Sequence, residues 1–164
     1  MESGSKRKHL FISHHHEDDK EVTNLTRLLS GKGFDIRNSS VRMNADNRLK
    51  MEEKRVSDKV IERILQMKIS WAGIVVVLIG KQTHEREWVN WEIEKANEAG
   101  KRIVGIYIRG GTEADIPPAF EDYGSALVNW NSDSIINAIE GDNNFKKPDG
   151  SERPKSGSAE SVNC

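Results

Sequence analysis

The stretch "AGIVVVLIG" at 72–80 constrains the chain more than any other. It carries no charge and shows no polar alternation, so a strand made from it must be buried on both faces. It is also far short of the roughly 20 residues a helix needs to span a bilayer. Two further runs rich in β-branched residues, "HLFIS" at 9–13 and "RIVGIYI" at 102–108, have the same character. Strands of this kind belong at the centre of a parallel sheet, where crossover helices cover both sides.

The segments between the runs carry helical spacing. Val22, Leu25, Leu28 and Leu29 form one stripe; Val60, Ile61, Ile64, Leu65 and Met67 form a second; Val89, Ile93 and Ala96 form a third. Gly31 and Gly100 stand where helix C-caps belong. "FDIRNSSV" at 34–41 and "ALVNW" at 126–130 are weaker strands, and "DSIINAIE" at 133–140 reads as a closing helix with Asp133 at its N-cap. The order βαβαβαβ, a linker, then βα predicts an α/β fold: a flavodoxin-like three-layer α/β/α sandwich with about five parallel strands in the order 2-1-3-4-5. The domain is expected over 9–140, after a flexible start at 1–8. "RMNADNRLKMEEKR" at 42–55 is long and charged for a βα connection, which fits a functional loop or partial disorder. From Gly141 to Cys164 apolar residues are scarce, and a disordered tail is expected.

Composition narrows the partners. The 25 Lys and Arg nearly cancel the 26 Asp and Glu, leaving a formal charge of -1 and no electrostatic case for nucleic acid or an anionic membrane. The single cysteine, Cys164, has no partner within the chain and fits a reducing compartment, so a cytoplasmic location is expected. The polar start "MESGSKRKH" lacks the apolar region of a signal peptide.

In open α/β sheets, ligands bind outside the carboxyl ends of the strands, beside the point where strand order reverses. Here those ends fall at 13–16, 38–41, 80–84 and 109–111, with the first and third flanking the reversal. No GxGxxG follows the first strand and no GxxxxGK[ST] occurs, which disfavours dinucleotide binding of the Rossmann type and P-loop chemistry. The triplet His14 to His16 invites a metal, but successive strand residues point to opposite faces and no second Cys/His cluster has ligand spacing, so no metal site is expected. A response-regulator acidic pocket is disfavoured too, because the third strand offers "VVVLIG" where a phosphoacceptor aspartate would stand.

The helix "EREWVNWEIEKANEA" is the most informative segment. On a helical wheel Trp88, Val89, Ile93, Ala96 and Ala99 share one face, and Glu92 projects from within it, while Glu87, Asn90, Glu94, Asn97 and Glu98 lie elsewhere. Glu92 is then either a carboxylate favoured by the helix dipole or a partly desolvated one at a pocket floor. Trp88, one turn earlier, is either a core aromatic or a planar surface for a ligand.

In this order the motifs resemble the TIR (Toll/interleukin receptor) domain family, above all its NAD-cleaving members and the TIR-like proteins of bacterial Thoeris anti-phage defence. "LFIS" precedes a polar turn and helix; Gly33 and Phe34 open the second strand; "ERILQMKIS" precedes the third; and "EWVNWEIEKANEAGKRIVGI" is similar to the family's Trp-x-x-x-Glu element followed by a glycine and the fourth strand. The resemblance runs from about His9 to Glu140. It implies that Glu92 is the catalytic glutamate, that Trp88 is the aromatic preceding it, and that Ser13, His14, Asn38 and Ser39 contribute to substrate binding at the mouth of the site. The loop at 42–55 takes the position of the family's BB loop, without a recognisable BB-loop sequence. His14 stands where the family usually has Tyr or Phe.

The activity so implied is an NAD+ glycohydrolase or cyclase, with NAD+ as substrate and no cofactor, making an ADP-ribose-derived signal nucleotide for an effector protein. Water, the substrate's own adenine or ribose, or an added nucleophile would give a linear, cyclic or conjugated product, and the sequence leaves all three open. Homo-oligomers or TIR–TIR assembly are expected on the same ground, and a non-catalytic TIR scaffold is the alternative reading.

Overall fold

The computed structural model describes residues 8–15, 19–38, 58–81, 83 and 87–153. The expected loop at 42–55, His16, Ser39 and Cys164 lie outside them.

Five strands form one parallel sheet: β1 (Lys8–Ser13), β2 (Phe34–Asn38), β3 (Ile74–Ile79), β4 (Arg102–Tyr107) and β5 (Ala126–Val128), in the order β2-β1-β3-β4-β5. The expected topology is therefore the observed one. Among the described residues the α-helices are α1 (Asp19–Leu29), α2 (Asp58–Trp71), α3 (Glu87–Glu98), α4 (Pro118–Tyr123) and α5 (Ser132–Glu140). Each βαβ crossover must be right-handed, so the step from β1 out to β2 and the steps from β2 back through β3, β4 and β5 carry their helices on opposite faces. The packing follows: α1 and α5 cover Leu10, Ile12, Val76, Leu78, Val104 and Ile106. Helices α2, α3 and α4 cover Phe11, Val75, Val77, Ile79, Ile103 and Leu127. Alternation along each strand assigns the residues to the two layers, and β3 is buried on both faces as its composition requires.

The glycines at the ends of α1 and α3 adopt the left-handed conformation that a C-cap needs, with φ of 78° at Gly31 and 73° at Gly100. Lys101 N donates to Ala96 O at 2.9 Å, which closes the second end as a Schellman motif.

Four expectations change. The linker between β4 and β5 contains a helix, α4, which begins at a proline and receives a cap from α3, because Asn90 Oδ1 accepts from Ala119 N at 3.0 Å. Helix α5 is capped by Asn131, whose side chain accepts from Ser134 N, and not by Asp133, which lies in its first turn. Lys8 is part of β1 and donates its N–H to Gly33 O at 2.9 Å. Residues 141–153 are not a disordered tail: Phe145 is buried and bridges Leu127, Tyr107 donates its hydroxyl proton to Lys146 O at 3.1 Å, and Arg153 pairs with Glu121 at 3.0 Å. Arg102 ties the same segment to the end of α5, donating to Ala138 O at 3.0 Å, to Asn143 Oδ1 at 2.7 Å and to Asp142 O. Polar links at its two ends and one buried phenylalanine supply an order that apolar composition does not reveal. Among the described residues, no helix is long and apolar enough to cross a membrane.

Candidate active site

The site grows from one transverse row of the sheet. Ser13, the last residue of β1, pairs with Val77, Val77 with Gly105, and Gly105 with Leu127, so all four point to the α2–α4 face. The row is apolar except at Ser13. Helix α3 crosses this face with Val89, Glu92, Ile93 and Ala96 buried, the stripe its spacing predicted; Ala99, also placed on that stripe, lies beyond the helix and is exposed.

Glu92 and Ser13 are both wholly inaccessible to solvent, and Ser13 Oγ donates to Glu92 Oε1 at 2.5 Å. A carboxylate taken out of water is costly unless charge-assisted hydrogen bonds replace its hydration, and Ser13 supplies one of these. The pair lies at the carboxyl edge of the sheet, between β1 and β3 where strand order reverses. His14 and His15, which follow Ser13, are buried as well. His15 lies ahead of α1, which begins at Asp19, and its burial holds the chain against the edge of the sheet. At the end of β3 the buried Thr83 accepts from Gly80 N at 2.8 Å, fixing the turn on the other side of the reversal.

The remaining expected site residues are distributed. Asn38 ends β2, its backbone in register with Ile12, one step short of the Ser13 row. Trp88 is half-buried against the α2–α4 core and meets Trp91 edge-to-face, with centroids 5.4 Å apart at 76°. Trp88, Trp91, Glu62 and Glu87 line a cleft of about 240 Å³ between α2 and α3. Ser13 and Glu92 are thus in direct contact, while Trp88 also lines the neighbouring cleft one helical turn away.

A cationic contribution was not anticipated. Lys68 lies on α2 between the buried Leu65 and Ile69 and the half-buried Trp71, so it interrupts that helix's apolar stripe as Glu92 interrupts that of α3. Burial pushes the Lys68 ammonium below its ordinary pKa, the Arg37 charge adds to this, and the Glu92 carboxylate opposes it. Lys68 is therefore within electrostatic reach of the buried carboxylate. Arg37, on β2 beside Phe11, lies over the Trp71 ring at 4.3 Å, and His9 stacks on Trp71 at 4.2 Å with the planes 6° apart. The signal for Lys68 was a charge on an apolar stripe, the same one that singled out Glu92. Among the described residues, no group of three His, Cys, Asp or Glu side chains is placed to hold a metal.

Comparison with known proteins places the chain in a family. A family model described as "Thoeris protein ThsB, TIR-like domain" matches residues 11–113, which include Ser13, Lys68 and Glu92. A Bacillus cereus (strain MSX-D12) protein named "Putative cyclic ADP-D-ribose synthase ThsB1" is 31% identical over 101 residues, covering 62% of this chain and 52% of that protein. The chain thus matches about half the length of that relative. The family model spans most of the sheet and all of α3, and with it more than half of the chain: the chain belongs to the Thoeris ThsB TIR-like domain family.

Proposed function

We propose that the chain is an NAD+ glycohydrolase or cyclase that breaks the nicotinamide–ribose bond and makes an ADP-ribose-derived signal nucleotide in prokaryotic anti-phage defence. The observation that carries the reading is the Glu92 carboxylate, fully buried beside the strand reversal with Ser13 Oγ on its Oε1 at 2.5 Å. The relative's name points to the same reaction class.

The bond to be broken sets modest demands. Nicotinamide leaves as a neutral molecule, so no general acid is needed, and the barrier lies in the positive charge that develops on the ribose. A carboxylate held in a low-dielectric site is suited to stabilising that charge, as in glycoside hydrolysis. Glu92 takes this role while ionised and accepts hydrogen bonds from the ribose hydroxyls. Ser13 acts by holding Oε1 in place, which fixes the direction in which the carboxylate presents its charge. Lys68 favours the ionised carboxylate through its own charge. What captures the ribose cation next decides among a linear, cyclic or conjugated product.

The test is incubation of the purified protein and of Glu92→Gln with NAD+, with products resolved by mass spectrometry, at high protein concentration and in the presence of lysate from phage-infected cells. The reading requires NAD+ loss with release of nicotinamide in the first and a fall of about 10²–10³-fold in the second. Equal rates in the two proteins, or no consumption by either under activating conditions, would favour the non-catalytic scaffold.

A further inference from the structure

A second cleft opens on the other side of the sheet, and its chemistry differs from that of the buried pair. It measures about 290 Å³ and is lined by Lys20, Glu21, Asn24, Arg109 and Trp130. These residues come from the first turns of α1, from the turn after β4 and from the junction between β5 and α5, so the cleft lies at the carboxyl edge of the sheet on the α1/α5 face. None of its residues belongs to the Ser13–Glu92 site.

Each wall is held by a rigid element. Arg109 sits in a tight turn closed by Gly111 N donating to Ile108 O at 2.9 Å. Gly110 occupies the position of that turn that requires a positive φ, at 83°. Gly111 passes so close to β3 that a Cβ there would fall 2.2 Å from Ile79 O, so the turn is pinned to the sheet. Trp130 packs half-buried against the α1/α5 core, immediately before the Asn131 cap that fixes the start of α5. Asn24 Nδ2 donates to Glu21 Oε1 at 3.2 Å, which orients both side chains on one helix face.

The donor set is specific in kind. Two cations stand at the rim, an indole offers an apolar plane, an amide offers a donor and an acceptor, and a carboxylate can accept from hydroxyls. Lys20 and Glu21 lie in the first turn of α1, whose positive dipole end also favours an anion at this edge. The volume is at the lower end of the roughly 300–1,000 Å³ typical of small-ligand sites, which suits one nucleoside monophosphate unit and not a dinucleotide.

We propose that the Lys20–Arg109–Trp130 cleft is a second, non-catalytic nucleotide site that takes a phosphorylated nucleoside. The base stacks on Trp130, the phosphate pairs with Arg109 and Lys20, and the ribose hydroxyls donate to Glu21. The site is independent of whether Glu92 cleaves NAD+. Its place across the sheet from the buried pair lets it hold a nucleotide while the Glu92 site is occupied.

Calorimetric titration of the full chain with AMP, adenosine and ribose 5-phosphate separates the contributions. AMP is expected to bind at one site, and both fragments at least about tenfold more weakly, since each lacks either the charge-assisted hydrogen bonds or the stacking. Arg109→Gln should weaken AMP about tenfold and leave adenosine unchanged. Trp130→Leu should weaken both, Trp130→Phe should restore them, and circular dichroism of each variant checks that the fold persists. Glu92→Gln should bind AMP as the parent does. The proposal is overturned if the parent gives no binding heat with AMP, if binding survives both Arg109→Gln and Trp130→Leu, or if Glu92→Gln abolishes it.

Discussion

The two faces of the sheet bury different things at the same edge. On the α1/α5 side a continuous apolar cluster lies beneath the sheet's edge, and the charges of Lys20, Glu21 and Arg109 stay at the rim. On the α2–α4 side the apolar layer is interrupted from within, by Ser13 on the strand and Glu92 on the helix, and by the half-buried Lys68. An apolar layer specifies packing at no cost in desolvation, whereas a buried carboxylate lowers stability unless its surroundings satisfy it. One face therefore serves mainly to hold the sheet, and the other trades stability for a desolvated charge, a pattern expected where a local rule is broken for function.

The strongest test of that contrast is to cut into both faces. Leu25→Ala, in the α1/α5 core, removes a fully buried side chain and should cost about 2–5 kcal/mol in urea unfolding. Glu92→Gln keeps the volume and an oxygen that can accept from Ser13, while removing the buried charge. Its midpoint should stay near the parent's or rise. If Glu92→Gln destabilises as much as Leu25→Ala, the carboxylate is a structural element and the contrast between the faces fails.

A double-mutant cycle sharpens the same point. Ser13→Ala removes a hydrogen bond to a charged group and should cost about 1.5–3 kcal/mol, but only about 0.5–1.5 kcal/mol when Gln stands at position 92 and the bond is neutral. Equal costs in the two backgrounds would show that the charge contributes nothing to the pair.

Much of this was legible in the sequence because the two signals involved are periodic. Uninterrupted β-branched runs marked β1, β3 and β4, and their alternation with helical stripes pointed to an open parallel sheet, for which the order 2-1-3-4-5 is common. Glu92 was visible as a charge inside an apolar stripe. The elements that escaped have little periodicity to read. Helix α4 is six residues long, starts at Pro118 and buries only Ala119 and Phe120. Residues 141–153 contribute one buried apolar side chain, Phe145, and are otherwise held through Arg102, Tyr107 and Arg153, whose partners are distant in sequence. Ser13 could be placed at the strand end, but its bond to Glu92 depends on the tertiary meeting of β1 with α3, 79 residues apart. Lys68 carried the same signal as Glu92, yet a lysine near a helix C-terminus has an ordinary explanation in the dipole, which masked it.

The α2–α4 face is also tightly packed beyond the polar pair, and here a smaller loss is expected. Gly105 lies in the Ser13 row under the Phe120 ring, and a Cβ there would fall 2.8 Å from Phe120 Cζ and 3.0 Å from Ile79 Cδ1. Gly105→Ala should therefore cost about 1–3 kcal/mol by overpacking. Adding Phe120→Leu should recover part of that loss, measurable as a favourable coupling in the unfolding free energies. Strict additivity would mean that the ring is not what the new methyl group meets.

Titration gives the finest comparison, because two groups on the α2–α4 face move stability in opposite directions. Burial pushes the Tyr107 phenol up to about 12, the nearby Arg153 charge opposes this, and the Glu113 and Glu121 carboxylates add to it. The folded chain therefore keeps a proton that the unfolded chain releases near pH 10, so this contribution is full below about pH 10 and is lost as pH rises toward 12. Lys68 has the reverse sign: its pKa is lowered by folding, so its contribution grows as pH climbs toward 10.5. The parent's urea midpoint reports the difference of the two. Tyr107→Phe should remove the loss above pH 10 and leave a flatter profile, and its ultraviolet titration should lack the late phenolate transition. A profile unchanged by Tyr107→Phe would mean that the hydroxyl reaching Lys146 O is hydrated in the folded chain, and that residues 141–153 are held by Phe145 and the arginines alone.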